Sequence, residues 1–239
     1  MDTGSLTHIL LLVAIVASGA ILIALAAQGG PKARKIVLII LAVAASLLAL
    51  SQPVWHLYRG NFNLHRDLPL SFCNIAALLM LLFILPKARD FIYASALPAA
   101  VLTLAFPAVT GATLMSFTVL QYIALRAVLL WIAVYLIVCM GFRPKLRRLP
   151  IVIVLSVAAI IPAVAANLLM TNAYYATFLK DRPGSFVGFF VNYLNAPWDR
   201  IAPAAAILIV WMVLSTLPFP KKKTTVFEHA REMAKKKTE

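Results

Sequence analysis

The chain has 239 residues, 63% of them hydrophobic, and carries 22 Lys and Arg against eight Asp and Glu, for a formal charge of +14. Apolar runs long enough to cross a bilayer recur along it, which excludes a sizeable soluble domain, and their continuity excludes a barrel of short alternating strands. In such a chain an excess of positive charge speaks to orientation rather than to nucleic acid, and no nucleic-acid partner is expected.

Seven spans are predicted, which makes the fold an all-α polytopic bundle: residues 1–220 form one transmembrane domain and residues 221–239 a basic tail. The leading MDTGS has no basic residue of the kind that opens a cleaved signal, so the first run, Leu6–Ala27, is read as a retained helix. The second span is Ile36–Trp55. The third, Leu68–Pro86, is apolar through its last dozen residues but opens with Pro69, Ser71, Cys73 and Asn74. Polar groups facing lipid are costly, so this opening predicts the wall of a pocket. Asp67 is placed to cap the helix, with Pro69 in its first turn. A helix start favours the thiolate of Cys73, whereas apolar surroundings favour a packed, protonated thiol.

The fourth span, Phe91–Phe106, is short and contains Pro98, which predicts a kink or a partly re-entrant course. In the fifth, Ser116–Met140, the residues Thr118, Tyr122 and Arg126 recur every four positions and share one helix face. Arg126 lies about 15 Å from the helix start at the usual rise. A guanidinium at that depth costs at least about 2.5–3.5 kcal/mol. Every acidic residue lies at or outside a span end, so an obvious carboxylate partner is missing. Two solutions present themselves: Arg126 snorkels toward water and carbonyls along its stripe, or it meets an anion such as a lipid phosphate or carboxylate. The sixth span, Leu149–Met170, ends near Asn167 and is followed by Asn172, Tyr174 and Tyr175. Trp198 and Asp199 precede the last span, Ile201–Leu217.

With the N-terminus outside, sixteen of the basic residues fall in inner segments and five in outer ones, Arg126 being within a span. That is a positive-inside pattern with the C-terminus in the cytoplasm, and the tail Lys221–Glu239 suits contact with anionic lipid. In this orientation Cys73, Asn74, Tyr122, Arg126, Asn167, Asn172 and Trp198 gather in the outer half. Cys73 and Cys139 fall near opposite faces, which argues against a disulfide. The four histidines (His8, His56, His65, His229) lie at or outside span ends, and no metal site or cofactor is expected.

Several segments resemble the YwaF-like family of bacterial integral membrane proteins. They are WHLYRG before the third span, LPLSFC at its start, GFRP (Gly141–Pro144) after the fifth, NLLMTNAYYATFLKDRPG from Asn167, and APW at Ala196–Trp198. That family is similar to the eukaryotic transmembrane acyltransferases that remodel ether phospholipids. The resemblance implies that Cys73 is the motif cysteine of a Cys–His pair. The histidine does not carry over: Arg126-Ala127 stands where the family has His-Gly, and Ser71 where a histidine is common.

Arg126 cannot shuttle protons near neutral pH, and thiol acyl transfer needs a base, for which His65 is the nearest loop histidine. The expected function is a plasma-membrane protein with an outward-facing pocket for an anionic lipid or amphiphile, acting without catalysis or assisting another envelope protein. The alternative is an acyltransferase with Cys73 as acceptor. A transporter is the weaker third reading, since no span carries a titratable acid and no inverted repeat is visible.

Overall fold

A Ser5 cap, a Gly-Gly turn and a Pro start lay out the first third of the chain. The computed structural model describes residues 5–82, 89–105 and 116–170, with isolated positions between 193 and 209. Asn172, most of the seventh predicted span and the basic tail lie outside the described residues. The Ser5 side chain accepts from His8 N at 3.3 Å and starts α1, Leu6–Gln28. Gly29 and Gly30 end it, and Pro31 opens α2, Pro31–Tyr58, at the position where its missing N–H costs nothing. α3 runs Phe72–Leu82, α4 Arg89–Ala105, α5 Phe117–Val138 and α6 Leu149–Leu169, the last after a single 3₁₀ turn at Leu146–Arg148.

The described residues are entirely helix and connecting turns. Four helices, α1, α2, α5 and α6, are long and apolar enough to cross a membrane. The outer faces of α1, α2 and α6 expose large apolar side chains such as Leu10, Val13, Ile40, Leu47, Val154 and Ile161. This is the surface of a protein whose solvent is lipid. α4 continues through Pro98 as one helix.

Contacts sort the helix ends into two sets. At one end lie the starts of α1, α3 and α5 and the ends of α2 and α4: His8 Nε2 meets the Leu104 carbonyl at 2.8 Å, and Trp55 stacks on Phe117 with centroids 4.8 Å apart. At the other, the Tyr135 hydroxyl donates to Arg34 O at 2.8 Å, and Arg148 pairs with the buried Asp90. The second end holds Lys32, Arg34, Lys35, Arg89, Arg143, Lys145, Arg147 and Arg148. We call the first the polar end and the second the basic end.

α5 is the central post. Most of its residues are buried, and its side chains reach main-chain carbonyls on three neighbours. Gln121 Nε2 donates to Leu48 O on α2 at 2.6 Å, the Tyr122 hydroxyl to Thr103 O on α4 at 3.0 Å, and Trp131 Nε1 to Ile15 O on α1 at 2.9 Å. Such bonds hold helices together where lipid offers no hydrophobic gain on association.

Candidate functional site

The polar end is built by the connection between α2 and α3. Gly60, at φ +68°, closes α2: Gly60 N donates to Leu57 O and Asn61 N to His56 O, a Schellman turn. The chain then folds on itself, with Asp67 N donating to Asn63 O and Asn63 N to Asp67 Oδ2 at 2.8 Å. Leu70 N donates to Leu68 O across Pro69. A residue before proline is pushed out of helical geometry, which is why α3 begins at Phe72 instead of the predicted Leu68.

Two roles expected from the sequence change as a result. Pro69 lies in the connection rather than in a helical turn. Asp67 does not cap α3; the Ser71 hydroxyl does, accepting from Asn74 N at 3.4 Å. Asp67 instead has a fully buried carboxylate that accepts from Arg66 Nε at 2.7 Å and lies 3.7 Å from His56 Nδ1.

Arg126 is 8% exposed, two and a half turns into α5. Its guanidinium turns back along its own face. Cζ lies 3.2 Å from the Tyr122 ring centroid, and Nη1 donates to Tyr122 O at 2.8 Å. Cation–π attraction and one carbonyl offset part of the burial of the charge. Nε is buried without a hydrogen-bond partner among the described residues, and an unmade bond at a charged group costs about 1–3 kcal/mol or more.

Cys73 is also buried, as part of the main apolar core that α3 shares with α2, α4 and α5, and its Sγ donates weakly to Ala99 O at 3.9 Å. The Thr103 hydroxyl donates to the same Ala99 carbonyl, while Thr103 O accepts from Tyr122. Cys73 and the Tyr122 hydroxyl therefore bond to carbonyls on successive turns of α4, Ala99 and Thr103, while Arg126 stays on its own helix against Tyr122.

The remaining expected site residues are placed less closely. Asn74 is half-buried in the first turn of α3, and Asn167 is buried near the end of α6, where Ala163 and Ala166 pack on Leu68 and Leu70. Trp198 is 63% exposed. Asn172 lies outside the described residues. His65 is exposed on the connection, its backbone N–H donating to Asn63 Oδ1 at 2.9 Å. Besides His8, the histidine built into this end is His56, whose side chain is 12% exposed. Its signal in the sequence was the following Gly60-Asn61, which marks a helix stop that folds Asn61 back beneath it. His8, expected at a span end, lies in the first turn of α1 and is 3% exposed. Cys73 and Cys139 are both free.

The architecture is that of a helical membrane-embedded protein, with His8, Asp67, Gln121, Arg126 and Asn167 among the polar residues buried toward its polar end and Asp90 buried at its basic end. The model of the TMEM164 family matches residues 3–215, and the chain belongs to that family. No curated protein and no solved structure matches the chain.

Proposed function

We propose that this is a plasma-membrane protein, N-terminus outside, that binds an anionic lipid or other anionic amphiphile at its polar end. The single observation behind this reading is Arg126: a guanidinium buried beside Tyr122, with no carboxylate against it among the described residues and Nε lacking an acceptor. A phosphate or carboxylate oxygen supplies both the acceptor and the counter-charge. The concentration of Lys and Arg at the opposite end supports the orientation.

Native mass spectrometry of protein in nanodiscs doped with phosphatidylglycerol tests the idea. Arg126→Leu is expected to weaken binding roughly 10- to 100-fold, the usual worth of one charge-assisted hydrogen bond. Unchanged binding would show that Tyr122 and its carbonyl already satisfy the cation.

A second reading is acyl transfer through Cys73. Its support is α4, whose successive turns accept from the Cys73 thiol at Ala99 and from the Tyr122 hydroxyl at Thr103, together with the YwaF-like motifs. In that reading Sγ attacks the ester carbonyl of a phospholipid. The ester C–O bond breaks, and the thiol proton leaves with the lysolipid hydroxyl. Incubation with radiolabelled acyl-phospholipid should then leave a hydroxylamine-sensitive label on Cys73. No label, and lipid turnover indifferent to Cys73→Ser, would remove this reading.

A further inference from the structure

His56 is held at one nitrogen and left open at the other. Nδ1 lies 3.2 Å from Asn61 Oδ1 and 3.7 Å from Asp67 Oδ2. Arg66 Nη2 lies 3.3 Å from the same nitrogen and 3.3 Å from Asp67 Oδ2, while Arg66 Nε donates to Asp67 Oδ1 at 2.7 Å. Two oxygens, one belonging to a fully buried carboxylate, therefore favour the proton on Nδ1 and leave Nε2 with a lone pair. Nε2 is removed from solvent and has no hydrogen-bond partner among the described residues.

Holding the loop does not require that second nitrogen. The Schellman turn is closed by main-chain bonds, and Asp67 is tied to Asn63 and Arg66 whatever stands at position 56. A residue that only filled this space would do as well with an apolar ring. An oriented imidazole with a buried acceptor is what a site uses to recognise a hydroxyl.

We propose that His56 is a second ligand contact of the polar-end site, accepting through Nε2 a hydrogen bond from a hydroxyl on the headgroup of the anionic lipid bound there. The ligand class is thereby narrowed to anionic lipids whose headgroups bear hydroxyl groups. The inference rests on reading this end as the site where Arg126 takes the lipid's charge. Asp67 and Asn61 are positioning residues, since they act through Nδ1.

Two phosphodiester lipids separate the contributions: phosphatidylglycerol carries headgroup hydroxyls, and phosphatidylmethanol carries the same charge without them. In nanodiscs the unaltered protein should bind phosphatidylglycerol roughly fivefold more tightly, the worth of one neutral hydrogen bond. His56→Phe should abolish the preference while leaving phosphatidylmethanol binding within about twofold of that value. His56→Gln, which keeps a polar group near the Nε2 position, should restore part of the preference. Arg126→Leu should weaken both lipids alike.

Equal binding of the two lipids by the unaltered protein, or a preference that survives His56→Phe, would overturn the role of His56 and leave Arg126 as anion contact intact. Binding that ignores Arg126→Leu would overturn the Arg126 reading, and binding of neither lipid would overturn both. The comparison of lipids on the unaltered protein needs no variant to fold.

Discussion

Asp67 shows how a buried carboxyl can stay acidic in a mostly apolar molecule. Burial by itself pushes its pKa upward. The Arg66 hydrogen bond, the Asn63 backbone N–H and the charge of Arg66, with His56 adding to them in its protonated form, outweigh that and hold it below its usual value of 3.8. A carboxyl depressed on folding adds stability above its unfolded pKa and loses that contribution as the pH falls through the folded value. Asp67→Asn should cost roughly 1–3 kcal/mol at neutral pH, because donors on Arg66 and Asn63 lose a charged acceptor. Thermal melts in detergent check this: the gap between the two proteins should narrow below about pH 4, and a gap that widens on acidification contradicts the network. None of this was legible residue by residue. Asp67 in the sequence is an acid before an apolar run, the usual mark of a cap, and only the folding back of Asn61 and Asn63 turns it toward His56. Arg126 was legible, because an arginine inside an apolar run is conspicuous wherever its side chain points.

At the scale of elements, long apolar runs gave away most of the bundle. The predicted spans Leu6–Ala27, Ser116–Met140 and Leu149–Met170 agree with α1, α5 and α6 to within a few residues, because length and hydropathy fix what lipid will accept. Two starts were misjudged: α2 begins at Pro31 instead of Ile36, taking Lys32, Arg34 and Lys35 into the helix, and α3 begins at Phe72, where proline geometry and a folded connection override apolar composition. Docking between helices was hidden for a related reason, since it depends on single small residues. Gly19 on α1 is such a residue: a Cβ there would collide with the indole of Trp131, which donates to Ile15 O one turn away. Gly19→Val should detach α1 from α5, since small residues are what allow close approach in a bilayer. The expected signs are a change in Trp131 fluorescence and a melting transition lowered by several degrees. Unaltered emission would mean that the indole has another place to go.

For the whole molecule, the division into a polar and a basic end is the feature that sets direction. The described basic end collects eight of the Lys and Arg residues, while the polar end has Arg59 and Arg66 on its surface. Because Cys73 and Cys139 are buried, single cysteines placed at Asn61 and Lys145 can be labelled selectively. In intact cells an impermeant maleimide should reach the first and not the second; the reverse pattern would invert the topology and put Arg126 near the cytoplasm. The central position of α5 has a further result for sequence variation. Its donors Gln121, Tyr122 and Trp131 end on the carbonyls of Leu48, Thr103 and Ile15, and every residue type supplies a carbonyl. Correlated change between the helices is therefore not required. In a saturation mutagenesis library the donor positions should be intolerant, while their acceptor positions, outside other constraints, should accept many apolar residues. These three joints of the bundle are written on one helix only.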